Sequence, residues 1–345
     1  MDSRNDGAGP TRTFPLAAIA LISSALLFYF GTGFAPIGGL TWFAPLPVLL
    51  LAPRASTKIT AGVAALAYAL GTTNSWGLYW HSIDVPLPMA AVIVVGGSLM
   101  FMLVVLLFRA LARRGRALLA TVSAPALWVT ALYLTSVASP SGIQGTFATD
   151  QADVPLVLQI ASITGGWGVE FLVLLVPTAV AALLAPGMAT AARLRTGALT
   201  GLVVVLALGY GAVRLSDNGA TEPPQRVALL AMNQPQWGTD VASPIGQQRI
   251  AAYGEQITRI PGGAGMVVLP EGGFAADDTS LPQLVGPLSR VAQAQRTDIV
   301  VGLILTTQGG RFNTAVDIPA DGSKPVAYHK WHDNGSSIQV GHDLA

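Results

Sequence analysis

Glu271 and Lys330 are the side chains in this chain with the best claim to chemistry. Residues 266–269 read Met-Val-Val-Leu and run into Pro270, with Glu271, Gly272 and Gly273 directly after. A strand that meets proline loses its ladder donor and stops there. The next side chain then projects from the strand end into whatever cleft the loops form. A carboxylate held there against apolar surroundings can have a raised pKa and serve as a general base. Lys330 closes a later strand-like run, Val326-Ala327-Tyr328-His329. An ammonium on a neighbouring strand end can stabilise a developing oxyanion. Either residue alone is more often a solvated loop charge, so the expectation rests on the two together and in this order. The chain has no cysteine, which removes disulfides, thiolate metal sites and a thiol nucleophile from these residues. His329, His332 and His342 fit none of the familiar zinc spacings and read as loop histidines. No metal or cofactor is expected.

The elements that must hold the pair follow from hydrophobic patterning. Arg226–Met232, Met266–Leu269 and Asp298–Leu305 read as buried strands. Pro244–Ile260 reads as a helix with Ile245, Ile250, Tyr253 and Ile257 on one side. Leu281–Gln295 reads as a second helix, carrying Leu284, Leu288, Val291 and Ala292. Phe312–Ile318 and Pro325–His329 form an expected hairpin around Ala320-Asp321-Gly322, because Asp-Gly supplies turn geometry. The order β-α-β-α-β-β-β predicts a mixed sheet with helices on one face.

The rest of the chain has a different solvent. Overall it is 52% hydrophobic and only 11% charged, where a soluble domain carries about 25%. The deficit is concentrated between Phe14 and Leu215. A net charge of +1 gives no sign of nucleic-acid binding. An apolar helix needs about 20 residues to cross hydrocarbon. Seven runs qualify as expected spans: Phe14–Phe30, Ile37–Leu51, Ile59–Tyr79, Pro88–Ala110, Ala117–Val137, Pro155–Leu184 and Ala198–Val213. Pro45 and Pro47 break the second, which reads as kinked or re-entrant. Gly165, Gly166 and Gly168 place a loop at the start of the sixth. A cleaved signal ending near Phe34-Ala35 is the weaker reading of the first run.

Loop charges orient the bundle. Counting seven spans from an inner N-terminus, the inner segments hold Arg4, Arg12, Arg54, Lys58, Arg109, Arg113, Arg114, Arg116, Arg193 and Arg195. The outer loops between spans hold no Lys or Arg, only Asp84, Asp150 and Asp153; Arg214, at the outer end of the last span, is the one basic residue near the boundary on the other side. Lys and Arg stay on the cytoplasmic side, so 1–13 is read as a cytoplasmic tail, 14–215 as the bundle and 222–345 as an extracytoplasmic domain. Glu170 is the one acid well inside an apolar run. Such a group is a functional candidate, but the preferred reading places it ionised and wet near the outer mouth. The pair Gly197 and Gly201 fits a close helix contact.

Strand-Pro-Glu, then Arg311-Phe312-Asn313-Thr314-Ala315, then Asp321-Gly322 through Tyr328-His329-Lys330 resembles the nitrilase, or carbon–nitrogen hydrolase, superfamily. Placed behind a multi-span bundle, such a domain is similar to bacterial apolipoprotein N-acyltransferase. Ala124-Pro125-Ala126-Leu127-Trp128, Gln159-Ile160-Ala161-Ser162-Ile163-Thr164-Gly165-Gly166-Trp167-Gly168, Val227-Ala228-Leu229-Leu230 and Asn233-Gln234-Pro235-Gln236-Trp237 resemble stretches of the same family. The resemblance implies a helical transmembrane bundle followed by an α/β nitrilase-like (αββα sandwich) domain in a bacterial inner membrane. It implies acyl transfer from a phospholipid donor to the N-terminal amine of a diacylglyceryl-cysteine lipoprotein. Glu271 would be the base and Lys330 the oxyanion cation, with a Cys as the family's nucleophile. In the family that Cys stands several tens of residues beyond the Lys, and a further loop Glu follows the Lys. Neither has a counterpart before Ala345, so the outer domain is expected to be incomplete and C-terminally truncated. Ser336 and Ser337 follow the Lys too closely to replace the thiol and read as loop serines. The competing expectation is a non-catalytic membrane protein that binds lipid or scaffolds a partner such as a lipid-linked glycosyltransferase.

Overall fold

The computed structural model describes residues 10–77, 87–139, 143, 145–216, 225–233, 237–260 and 263–330. Arg4, Trp80, Asp84, Glu222, residues 234–236, His332, Ser336, Ser337 and His342 lie outside the described residues. The chain divides into two units, one of apolar helices up to residue 216 and one of strands and helices from residue 225.

In the first unit the long apolar runs are helices: α1 (Pro10–Gly31), α5 (Leu87–Ala112), α6 (Ala117–Ala138), α8 (Ala161–Leu183) and α9 (Thr190–Ser216). These five are long and apolar enough to cross a membrane, and the protein is a multi-pass membrane protein. Phe14, Ile19, Val92, Leu134, Val205 and Leu206 are exposed along them, as surface facing lipid should be.

The other two expected spans take shorter forms. Ile37–Leu51 is α2 (Gly38–Thr41) and α3 (Leu46–Leu51), interrupted around Pro45, because Pro45 and Pro47 remove two backbone donors in succession. Ile59–Tyr79 is α4 (Thr57–Gly71), started by the Ser56 hydroxyl on the Ile59 N–H and followed by a 3₁₀ turn at Thr72–Ser75. The run Pro155–Leu184 splits into α7 (Pro155–Leu158) and α8. Gly165 breaks α8 at φ 62°, ψ −172°, a backbone open mainly to glycine.

Guanidinium groups stitch one end of this unit. Arg109 donates to the Ala55 carbonyl at 2.6 Å, Arg54 to Leu184 at 2.6 Å and Arg193 to Ala185 at 3.0 Å. Each caps carbonyls where a helix ends or a loop begins. Of the expected pair, only Gly197 faces a neighbour, where a Cβ would meet the Leu183 side chain at 3.7 Å; a Cβ on Gly201 would meet nothing within 4 Å. The close approach falls at Gly211 instead, where a Cβ would lie 2.0 Å from the Leu156 carbonyl oxygen. An aromatic cluster fills the interior, with Phe28 against Tyr68 and Phe101, and Trp128 stacked on Phe147 at 5.2 Å.

Glu170 corrects the reading of a wet outer carboxylate. It is 1% exposed. Its Oε1 accepts from Trp128 Nε1 at 2.6 Å and its Oε2 from the Ala148 N–H at 2.7 Å. The reason is the path of residues 145–151, which fold back against the helices. Gln151, fully buried, fastens the same segment by accepting from Trp42 Nε1 and donating to Thr41 and the Gly38 carbonyl.

The second unit is a seven-stranded mixed sheet with helices α10 (Pro244–Thr258) and α11 (Leu281–Gln295). Its strands are β1 (Val227–Leu229), β2 (Thr239–Asp240), β3 (Met266–Val268), β4 (Phe274–Asp277), β5 (Asp298–Thr307), β6 (Gly310–Ile318) and β7 (Val326–His329). β5 is the spine, parallel to β3 and β4 and antiparallel to β6, which pairs in turn with β7. Side chains alternate across a strand. Ile299, Val301, Leu303 and Leu305 are buried with Ile250, Tyr253, Leu284 and Leu288 of the helices. Val300, Gly302 and Ile304 therefore point to the opposite face. Ile245 does not join the helix core; it is 65% exposed, in the first turn of α10. On the face away from the helices, Val227, Leu229, Val326 and Tyr328 stay exposed.

Candidate active site

Glu271 stands just past the end of β3, as its sequence context predicts, on a loop after which a separate strand, β4, takes up the pairing with β5. β3 pairs with Asp298–Val300 of β5, and β4 pairs with Leu303–Thr306 of the same strand on the same side. Residues 269–273 span the gap between them, opposite Val301 and Gly302. Leu269 N–H donates to the Val300 carbonyl at 2.8 Å on entry, and Gly273 N–H to the Gly302 carbonyl at 3.1 Å on exit. Proline supplies the break because it has no N–H for the ladder, and the ladder resumes at Phe274 because β5 runs on.

Two glycines let the loop lie this close. Gly302 passes under it, and a Cβ there would sit 2.4 Å from the Pro270 carbonyl oxygen and 2.7 Å from the Glu271 Cα. Gly272 has φ +60° and packs beneath the Trp237 ring, which a Cβ would meet at 2.3 Å. Gly238 N–H donates to the Gly272 carbonyl at 2.8 Å. The loop is thus held from β5 on one side and from residues 237–238 on the other, with Glu271 at its crest.

The structure brings both expected site residues together. Lys330 Nζ donates to Glu271 Oε1 at 2.8 Å. Lys330 is aimed by the sheet, since its N–H continues the β6–β7 ladder by donating to the Asn313 carbonyl at 2.8 Å. A third group joins them: Asn313 Nδ2 donates to the same Oε1 at 2.6 Å. Asn313 stood in the sequence only as part of a motif, with no role attached. Gly302 and Trp237 also carried no site signal, because their part depends on which backbone passes over which.

The electrostatics correct one expectation. Burial pushes the Glu271 carboxyl upward, as its apolar context suggested. The hydrogen bonds from Lys330 and Asn313, with the charge of Lys330, outweigh that push and hold it below the ordinary carboxylate range. Glu271 is therefore a carboxylate at rest, and its proton affinity rises whenever Lys330 moves off it. Replacing Lys330 with methionine should let Glu271 take up a proton at higher pH than in the parent, since burial then faces only the Asn313 hydrogen bond. Carbodiimide coupling of a small amine to Glu271 across pH, mapped by peptide mass spectrometry, reads this directly. An unchanged pH window would show that Lys330 does not set the carboxyl's charge.

His329 is occupied elsewhere: its Nδ1 lies 2.9 Å from Thr314 Oγ1 and its ring stacks on Phe312 at 4.6 Å.

Residues 24–179 match the family model described as the apolipoprotein N-acyltransferase N-terminal domain. No curated protein matches the chain. The matched residues run from α1 into α8, through the proline-broken α2–α3 segment and the buried Glu170. Residues 24–179 of the helical unit are thus similar to the N-terminal domain of apolipoprotein N-acyltransferases.

Proposed function

We propose that the protein serves the transfer of an acyl chain from a phospholipid to the N-terminal amine of a diacylglyceryl-cysteine lipoprotein. The observation that carries this reading is the 2.8 Å contact between Glu271 and Lys330 in a chain whose residues 24–179 match the family's N-terminal domain. In this reading Glu271 is the base and Lys330 the oxyanion cation. A thiol attacks the donor's ester carbonyl, and its proton passes to Glu271. The C–O bond breaks, and the proton leaves with the lysophospholipid. The lipoprotein amine then attacks the thioester, forms the amide and returns the thiol. None of the 345 residues is a cysteine, so the thiol must be supplied from outside them.

In this reading the N-terminus is cytoplasmic and the sheet unit lies on the outer side of a bacterial inner membrane, supported by the basic residues of the expected inner loops. The sheet with its helical layer is read as one half of a nitrilase-like αββα sandwich. The absence of cysteine favours one rival, a lipid-binding or scaffold protein that partners a lipid-linked glycosyltransferase.

The test is made on the gene product in its native membranes, with the N-terminal peptide of a resident lipoprotein weighed by mass spectrometry. Glu271→Gln should remove the amide-linked acyl chain, with a rate loss of about 10³-fold. Undiminished acylation in that variant overturns the reading. A partner that co-purifies equally with Glu271→Ala, in membranes without transfer, would establish the scaffold instead.

A further inference from the structure

We infer that Asn313 is a positioning residue of this site: it holds Glu271 by one carboxylate oxygen and thereby reserves the other for the proton. Its catalytic meaning rests on the acyl-transfer reading; its geometry does not. Both donors that reach Glu271, Lys330 Nζ and Asn313 Nδ2, converge on Oε1. Among the described residues nothing donates to Oε2. A carboxylate pinned at one oxygen cannot rotate freely, and orientation of a base is worth as much as its strength.

Asn313 is suited to the task in three ways. It is 6% exposed, so its amide has a fixed place. It lies in β6 opposite Ile304 of β5, on the face turned away from the helices, under the 269–273 loop. Its main-chain carbonyl also accepts the Lys330 N–H, so one residue fixes the carboxylate by its side chain and the ammonium's strand by its backbone.

The division of labour follows from charge. The Lys330 ammonium carries three N–H donors, one of them on Glu271, so it can turn towards a developing oxyanion as it loosens its hold on the carboxylate. When the Nζ turns to a developing oxyanion, the carboxylate loses its cation and its proton affinity rises. Asn313 is neutral and does not leave. It keeps the base in place at the moment Lys330 lets go. A cation in the same position would hold Glu271 as firmly but would also keep it a weak base.

The test uses the full chain in detergent and two readouts. Carbodiimide without added amine should join Glu271 to Lys330 through a zero-length amide, found by peptide mass spectrometry. With added amine, the pH window of Glu271 coupling reports its titration. Asn313→Asp keeps shape and volume but removes the donor and adds a like charge. It should cut the Glu271–Lys330 cross-link at least about fivefold and move the coupling window of Glu271 to higher pH. Asn313→Ser, checked for native circular dichroism, should lower the cross-link without adding charge, with a smaller upward movement of the window. Parent cross-linking and a parent window in both variants would overturn the inference. Loss of acyl transfer is scored separately. A normal window with no transfer strikes at the function, whereas a shifted window supports the role of Asn313 whatever the chain transfers.

Discussion

Gly302→Ala is expected to destabilise the sheet unit by about 3 kcal/mol or more and to abolish the Glu271–Lys330 cross-link. The added methyl carbon would stand 2.4 Å from the Pro270 carbonyl oxygen and 2.7 Å from the Glu271 Cα. Both atoms are backbone, so no rotamer change can make room. Either the 269–273 loop lifts off β5 or β5 itself moves. Lifting the loop breaks the hydrogen bonds that frame it, from Leu269 to Val300 and from Gly273 to Gly302. It also carries Glu271 away from both Asn313 and Lys330. Moving β5 instead disturbs the strand that pairs with β3, β4 and β6. Gly286→Ala is the matched control. It adds the same methyl group within α11, where a Cβ would meet nothing within 4 Å. Alanine there should change stability by no more than about 0.5 kcal/mol, because its gain in helix propensity is offset by the Pro287 ring that follows it. Urea unfolding followed by circular dichroism separates the two. If Gly302→Ala unfolds with its parent and still cross-links, the loop does not lie across β5 as described.

How much of this was legible in the sequence depends on the range of the interaction. The long apolar runs became helices because hydrocarbon demands a continuous apolar surface and an internally satisfied backbone, a local property that any window can read. Leu281–Gln295 is a helix over the predicted residues, since its apolar spacing is local too. β4 was not visible. Phe274–Asp277 is four residues long and follows Pro-Glu-Gly-Gly, a stop signal by every local rule. Only the ten-residue length of β5, which offers partners beyond Val300, lets the ladder resume. β2, two residues long, is set by the same kind of distant pairing. The sequence pointed to Glu271 and Lys330 but misjudged the carboxyl's charge state. Apolar neighbours in sequence argue for a raised pKa, while the deciding donors come from positions 42 and 59 residues away. Glu170 failed for a related reason: hydropathy reports that a helix is apolar but not which segment folds back against it.

That fold-back makes Glu170 the site of the second large effect. Glu170→Ala is expected to destabilise the helical unit by about 3 kcal/mol or more. The substitution strands buried donors, Trp128 Nε1 and the Ala148 N–H among them, at a cost of roughly 1–3 kcal/mol each, and opens a cavity beside the stacked rings of Trp128 and Phe147. Glu170→Gln should lose nearly as much despite its equal size. The two donors address different oxygens, and an amide presents one acceptor and one donor. Whichever way the amide is turned, an N–H faces an N–H. If the loss comes from stranded donors rather than lost volume, removing one of them must recover stability. Trp128→Phe combined with Glu170→Leu should therefore be less destabilised than the sum of the single variants, by about 1 kcal/mol. Thermal unfolding of the four proteins in one detergent measures the cycle. Strict additivity, or a Glu170→Gln variant as stable as its parent, would mean that the carboxylate does not hold residues 146–148 in place. Gln151 fastens the same segment through three contacts of its own, to Trp42, Gly38 and Thr41. Loss of Glu170 should then loosen the fold-back while leaving it attached. The damage should appear as a lower unfolding temperature in a protein that still inserts with its helices intact.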